Sequence, residues 1–294
     1  MLPEFDLLIP ETMEEALDIL KDKGADCRIV AGGTDVYVDM HGKYETEPLL
    51  MDIKKIKELR EFGFNPGEGA RIGAAVTHFE LDRSPVVRKY YPALYEGASQ
   101  VGSVQIRHRG TIGGNICNAV PSGDTLGPLL VLDAKVVLKS SDGEREMPLE
   151  EFFLGPKRTA RRPDELLETI VLPDPGKKRS AYIKFTRRGA MDLALLGASA
   201  SLELDEEGKC RNVRISLTTC APVPMRAKEA EAVLEGQLPT EEKIAEAGAA
   251  ASAEAKPRSS WRCTEEYRRE VIRAIVPRAI CTAVGRAKEG AGIE

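Results

Sequence analysis

Two paired glycines constrain this chain more than any other feature. In Ile29-Val-Ala-Gly-Gly-Thr-Asp35 an apolar run ends in Gly32-Gly33 and continues into a hydroxyl and a carboxylate. Gly110-Thr-Ile-Gly-Gly-Asn115 repeats the pairing, with Asn118, Ser122 and Asp124 just downstream on what reads as mostly loop. Without a Cβ the backbone turns tightly and brings consecutive N–H groups within reach of an anion. Two such cradles suit the paired phosphates of a dinucleotide, with Thr34 adding a hydroxyl donor. Taken singly, glycine pairs are common turn punctuation, so the residues alone leave a plain turn and a phosphate site both open. Neither loop fits G-x-G-x-x-G and no G-x-x-x-x-G-K-S/T occurs, so a Rossmann dinucleotide site and a P-loop are both unsupported.

A length of 294 residues is a prior for about two domains. A hydrophobic share of 42% beside 30% charged residues excludes a disordered, collagenous or fibrous chain. Lys and Arg number 42 against 47 Asp and Glu, a net charge of −5, which gives no electrostatic footprint for nucleic acid or anionic lipid. The start, Met-Leu-Pro-Glu-Phe-Asp, lacks the basic and apolar regions of a signal peptide, and no later stretch suits a membrane span, so a cytoplasmic protein is expected. The six cysteines form no C-x-x-C and no Cys/His run with metal spacing; buried thiols are expected, and an iron–sulfur cluster on this chain is disfavoured.

Along the chain, Thr12-Met-Glu-Glu15 has capping-box spacing before an apolar stripe that stops at Gly24, which predicts a first helix. Cys27 to Ala31, Met51 to Ile53 and Arg71 to Val76 read as strands, with a turn at Asn65-Pro-Gly67. Leu81 to Val101 is helical in pattern despite Pro85 and Pro92, and Val131 to Leu138 reads as a strand entering a turn at Gly143. Asp174-Pro-Gly-Lys-Lys-Arg179 has the residues of a domain boundary. Beyond it come a hairpin (200–204 and 213–217), an Ala-rich helix after Thr240, and a last helix over about 264–286, in which Pro277 predicts a kink or early break.

The two glycine segments, Ala31-Gly-Gly-Thr-Asp35 and Thr111 through Asp124, together resemble the flavin-binding subunit of the xanthine dehydrogenase and carbon monoxide dehydrogenase family of molybdenum hydroxylases. The resemblance continues in order through Phe153-Leu-Gly-Pro-Lys-Arg-Thr159, Glu165-Leu-Leu167, Lys184-Phe-Thr-Arg-Arg188 with Asp192-Leu-Ala194, and Tyr267-Arg-Arg269. It implies an α+β chain: a PCMH-type FAD-binding domain over 1–175, of two α/β subdomains (about 1–55 and 56–175), then a smaller C-terminal α+β domain over 176–294. It implies that FAD is held by Ala31, Gly32, Gly33, Thr34 and Asp35 and by Thr111, Ile112, Gly113, Gly114 and Asn115. Asp124 matches a cofactor-contacting aspartate and Lys184 a lysine near the flavin. Val101 stands where xanthine dehydrogenases place an aromatic over the isoalloxazine, and Arg187-Arg188 precede Asp192 by one residue more than the family's usual spacing.

The resemblance further implies a molybdopterin-binding large subunit and a 2Fe-2S small subunit as partners, with NAD or another acceptor taking the electrons. No metal ligand and no catalytic acid, base or nucleophile is expected on this chain. The alternative is a self-contained flavoenzyme resembling UDP-N-acetylmuramate dehydrogenase; a nucleotide-binding scaffold without turnover is a third reading. His41, His78 and His108 lie in unrelated contexts and are expected at the surface or satisfied, although His108 precedes the second glycine loop. The run Lys157-Arg158 to Arg161-Arg162 is expected to be solvated. Asp124→Ala is expected to weaken FAD binding without unfolding the protein.

Overall fold

The computed structural model describes residues 2–42 and 49–290; Met1, 43–48 and 291–294, which the ranges above include, lie outside the described residues. The chain opens with β1 (Asp6–Leu8), α1 (Met13–Lys23), β2 (Cys27–Val30), α2 (Thr34–His41) and β3 (Leu49–Asp52). The three strands form a parallel sheet in the order β1-β3-β2. Thr12 Oγ1 accepts the Glu15 N–H as the spacing predicts. The Glu15 carboxylate reaches back one residue further than in a capping box, to the Glu11 N–H.

Next come β4 (Phe62–Asn65), β5 (Gly69–Gly73) and a series of short helices: α3 (His78–Arg83), α4 (Pro85–Tyr90), α5 (Pro92–Ser99), α6 (Val104–Arg109), α7 (Ile112–Asn118) and α8 (Leu126–Val131). The continuous helical pattern over 81–101 is therefore cut in three. Pro85 and Pro92 each sit at a helix start, where the missing N–H costs nothing. The strand expected from Val131 begins four residues later, since α8 runs to Val131 and Asp133 turns the chain at φ 53°.

β6 (Lys135–Ser140), β7 (Gly143–Pro148), α9 (Leu149–Phe152), β8 (Phe153–Gly155), β9 (Arg158–Thr159) and β10 (Leu166–Pro173) complete this part. Its main sheet is antiparallel, in the order β4-β5-β10-β6-β7. One apolar core, including Ile72, Tyr91, Ile112, Ile116, Phe152 and Ile170, lies under both sheets.

After Pro173 the chain enters a second antiparallel sheet: β11 (Arg179–Phe185), β12 (Leu196–Leu204), β13 (Cys210–Thr218) and β14 (Met225–Arg226). It is followed by α10 (Lys228–Leu234), α11 (Glu241–Glu254) and α12 (Glu265–Gly290). A separate core joins Leu196, Ile215 and Leu217 to Ala247, Ile272 and Val276. α12 continues through Pro277 to Gly290, so of the expected kink or early break the break does not occur. The proline ring fills the space beside Gly248 of α11, where a Cβ would lie 2.9 Å from Pro277 Cγ.

The two parts meet through polar contacts. The Ala93 N–H donates to Ser180 Oγ at 3.2 Å, and the Tyr182 N–H donates to Glu96 Oε2 at 2.7 Å. Ser216 Oγ donates to the Gly127 carbonyl at 2.8 Å. Among the described residues no helix is long and apolar enough to cross a membrane.

Candidate functional site

The glycine loops lie against each other. A Cβ on Gly32 would stand 2.0 Å from the Arg109 carbonyl oxygen, so the first loop packs directly on the peptide that leads into the second. Gly113 is equally committed to packing, since a Cβ there would meet the Ala74 Cβ at 2.5 Å. Gly33 and Gly114 differ. A Cβ on Gly33 would meet only Val30 Cγ1 at 3.5 Å, and one on Gly114 only Thr111 Oγ1 at 2.9 Å. Each pair thus contains one glycine that lets backbone touch backbone and one that leaves a face bare.

The loops differ in what their N–H groups do. Gly33 takes φ 73° and caps α2; the first backbone bond of that helix runs from Tyr37 to the Gly33 carbonyl. Among the described residues, the N–H groups of Gly32, Gly33, Thr34, Asp35 and Val36 have no acceptor within the protein. They form a run of free donors at a helix start, the arrangement that suits an anion. The second loop is a helix rather than the expected loop, because Thr111 caps α7 from extended backbone, with its Oγ1 accepting the Gly114 N–H at 3.1 Å. The N–H groups of Ile112, Gly113 and Asn115 bond the carbonyls of Val76, Ala74 and Thr111. Of the four donors expected to face a phosphate, those of Ile112 and Gly113 seat α7 on the segment after β5, and those of Gly114 and Asn115 close its own cap on Thr111. What the second loop offers is the bare Gly114 face and the Asn115 side chain, whose Oδ1 accepts Thr125 Oγ1 at 2.7 Å.

Charge beside the first loop is organised by Asp39, which accepts from Arg28 at 2.9 Å and Lys157 at 3.0 Å; together they hold its carboxyl below the usual range despite partial burial. Asp35 is exposed as a residue, yet the protein packed around its carboxyl holds it above the ordinary aspartate range, and the Asp39 charge adds to this against Lys157 and Arg28. The 157–162 run is therefore only partly solvated. Arg161 donates to the Arg162, Pro163 and Glu165 carbonyls, and Arg162 remains largely exposed.

Asp124 and Lys184, far apart in sequence, meet in a buried cluster. Lys184 Nζ donates to Asp124 Oδ2 at 2.8 Å and to the Gln100 carbonyl at 2.9 Å, while Tyr182 OH donates to Asp124 Oδ1 at 2.8 Å. The Lys184 and Asp124 side chains are 6% and 7% exposed. Burial pushes the Asp124 carboxyl above its ordinary value even with Lys184 alongside, and pushes the Tyr182 hydroxyl far up. Val101, half-buried, follows Gln100 and accepts Arg107 Nη1 on its carbonyl at 3.2 Å. Asp124 is thus a partnered core carboxylate rather than a free loop group. Removing it strands a buried ammonium, so the expectation that Asp124→Ala leaves the fold intact is revised.

The histidines divide. His41 and His108 are exposed, stacked on Tyr37 and Phe79. His78, against expectation, is neither exposed nor satisfied: it is 2% exposed, its Nδ1 has no partner, and burial first and Arg107 second push it down to about 4. Its ring lies under Gly110, whose Cβ would stand 3.3 Å from His78 Cδ2. Nothing in its sequence context signals this position. A cleft of about 190 Å³ opens beside Thr111, lined by Lys54, Arg60, Ala75, Thr77, His108 and Arg109. Among the described residues no group of acidic, histidine or cysteine side chains has metal-binding geometry.

Comparison with known proteins gives a consistent result. Residues 3–175 match the family model described as the FAD binding domain in molybdopterin dehydrogenase, and residues 180–283 match the CO dehydrogenase flavoprotein C-terminal domain. The xanthine dehydrogenase FAD-binding subunit of Escherichia coli O157:H7 is 33% identical over 281 residues, 94% of each chain. The carbon monoxide dehydrogenase medium chain of Hydrogenophaga pseudoflava is 30% identical over 285 residues, covering 97% of this chain and 98% of that one. Among solved structures, carbon monoxide dehydrogenase from Hydrogenophaga pseudoflava superposes with a TM-score of 0.93 at 31% identity, over 97% and 99% of the two chains. Quinoline 2-oxidoreductase from Pseudomonas putida 86 gives 0.91 at 28% identity, over 98% and 99%.

Proposed function

The chain belongs to the family of FAD-binding medium subunits of the xanthine dehydrogenase and carbon monoxide dehydrogenase type, and from that premise we propose that it takes electrons from a 2Fe-2S partner chain and hands them to NAD or another acceptor. A molybdopterin-binding large subunit carries the substrate oxidation in this reading, and the assembly is cytoplasmic. The division of labour falls at 1–175 for the FAD-binding domain, with subdomains of about 1–55 and 56–175, and at 176–294 for the C-terminal domain.

The carrying observation is the run of N–H groups from Gly32 to Val36 with no acceptor in the protein, on a loop that packs through Gly32 against the Arg109 carbonyl leading into the second glycine segment. These residues fit a dinucleotide. The free N–H groups of the first loop would hold the pyrophosphate, with the Thr34 hydroxyl as a further donor, and Gly114 would bring no side chain to obstruct it. The second loop contributes shape and the Asn115 amide rather than a second N–H cradle. At the flavin end, Lys184 Nζ has three N–H donors, of which Asp124 and the Gln100 carbonyl take two, leaving the third for a cofactor acceptor. Val101 would provide an aliphatic wall at the position where the resemblance implies an aromatic. The FAD itself would supply the redox chemistry; this chain would bind and orient it, with Lys184 Nζ held by Asp124 Oδ2 and the Gln100 carbonyl.

The self-contained flavoenzyme is not favoured, since the matching relatives are named as subunits or chains of larger dehydrogenases. The test is to strip the purified chain of flavin and titrate it with FAD, following flavin fluorescence and thermal midpoint. Saturable equimolar binding with a rise in midpoint is expected; a chain that purifies colourless and gains nothing from FAD would support the scaffold reading instead.

A further inference from the structure

Tyr182 and Lys184 lie two residues apart on β11 and so project from the same face of the strand. One carboxylate from the other part of the chain spans them both. Asp124 Oδ1 accepts the Tyr182 hydroxyl at 2.8 Å, and Asp124 Oδ2 accepts Lys184 Nζ at 2.8 Å. With both oxygens taken, the carboxyl plane is held against rotation, and the direction in which Oδ2 draws the ammonium is set. The Gln100 carbonyl, 2.9 Å from Nζ, fixes a second direction. The third N–H of Lys184 is then aimed by the other two.

The place of Tyr182 is prepared on every side. The residue is 2% exposed, its N–H donates to Glu96 Oε2 at 2.7 Å, and Glu96 is paired with Arg286 of α12. Its ring fits because Gly197, opposite Lys184 in the ladder between β11 and β12, has no side chain. A Cβ there would stand 2.8 Å from both the hydroxyl oxygen and Cε2 of Tyr182, and closer still to Thr218 Oγ1. Gly197 takes no positive φ, so the close approach of the tyrosine, not the backbone conformation, calls for glycine here. A phenylalanine would fill the same space without the cost of burying a hydroxyl. Packing therefore accounts for the ring, and the carboxylate accounts for the hydroxyl.

We propose that Tyr182 is a positioning residue for the flavin end of the site: seated in the space that Gly197 leaves, its hydroxyl holds Asp124 in the orientation that turns Lys184 Nζ toward the cofactor. The inference rests on the FAD-binding function proposed above. Among the described residues, the titratable and charged groups acting on the Asp124 carboxyl are Lys184 and Tyr182 themselves; burial raises it, and the ammonium and the hydroxyl oppose that rise. Without the hydroxyl the carboxyl takes up its proton at higher pH, and a neutral Asp124 no longer anchors the ammonium. FAD affinity falls as pH drops through that protonation, so the fall begins at higher pH when the hydroxyl is missing.

The test titrates the flavin-stripped chain with FAD from about pH 8 to about pH 5, following flavin fluorescence, with the thermal midpoint of each apoprotein measured alongside. Tyr182→Phe should bind FAD about tenfold more weakly at neutral pH and should show its acid limb at higher pH than the wild type. Asp124→Asn should remove the limb, and adding Tyr182→Phe to it should not bring the limb back. Wild-type affinity and an unmoved limb in Tyr182→Phe overturn the proposal and leave the FAD-binding reading standing, as does a lowered thermal midpoint with FAD binding unchanged. An acid limb that survives Asp124→Asn belongs to another group and also overturns the proposal. A wild-type chain that binds no FAD overturns both.

Discussion

Replacing His78 with leucine should remove about 3 kcal/mol of acid sensitivity from the apoprotein. The unfolded chain protonates this imidazole near 6.5, while burial and Arg107 push it down to about 4 in the fold. Between those values the unfolded state binds a proton that the native state refuses, so stability falls as pH drops through the window and is fully present above it. At 1.36 kcal/mol per unit, a gap of roughly 2.5 units gives about 3 kcal/mol. Leucine has similar volume and nothing to titrate, and the unpartnered Nδ1 means that no side-chain hydrogen bond is recorded at that atom to lose. The bond from the His78 N–H to the Gly110 carbonyl, 3.0 Å, is backbone and survives. Stability at pH 7 should change by less than about 1.5 kcal/mol. The assay is urea unfolding followed by circular dichroism at a series of pH values from 7 to 4; other carboxylates contribute equally to both proteins and cancel in the difference. Parallel acid limbs for wild type and variant would refute the reasoning, because the ring would then have to be accessible or paired.

The other predictions concern the site and the thiols. Gly114→Ala should cost the apoprotein about 1–2 kcal/mol, because its Cβ would stand 2.9 Å from the Thr111 hydroxyl that caps α7, and should also lose most of the FAD-dependent rise in thermal midpoint. Gly33→Val should lose that rise too and also destabilise the apoprotein by about 1–3 kcal/mol through its positive φ; a full FAD response in either variant would remove that loop from the pyrophosphate site. Asp124→Ala should cost about 3–5 kcal/mol by stranding Lys184, whereas Asp124→Asn should fold and weaken FAD binding; equal urea midpoints for the alanine variant and wild type would contradict the buried pair. Of six cysteines only Cys281 is exposed, and burial pushes Cys117 and Cys210 up to about 11 and Cys220 up to about 12. A disulfide reagent should therefore titrate a single thiol in the folded chain at neutral pH, and Cys281→Ser should abolish the reaction.

Local rules carried the reading where the determinant is local. The Thr12 cap, the strand ending at Val30 and the turn at Asn65-Pro-Gly67 follow from residues within a few positions of one another. The prolines at 85 and 92 mislead a pattern search because apolar spacing survives across three helices, two of which begin at a proline. Loop 111–124 was illegible for a related reason: Gly-Gly reads as a turn, and only the Thr111 cap together with two carbonyls from the segment after β5 makes α7. The site was legible as two glycine segments, but not the asymmetry between them, which depends on the carbonyls of Ala74 and Val76 in the segment after β5. Pairings such as Lys157 with Asp39 and Lys184 with Asp124 are set by tertiary approach, so no spacing rule announces them. The buried His78 is hidden for the same reason.

The most direct test of the account is electron entry. The 2Fe-2S chain, reduced chemically and freed of excess reductant, is mixed by stopped flow with this FAD-loaded chain under anaerobic conditions while the flavin absorbance is followed. The account predicts that the flavin bleaches in step with reoxidation of the cluster, and that the absorbance recovers when an acceptor is added. A flavin that stays oxidised beside a reduced cluster, in a chain that by itself turns over an organic substrate with NADPH, would contradict it.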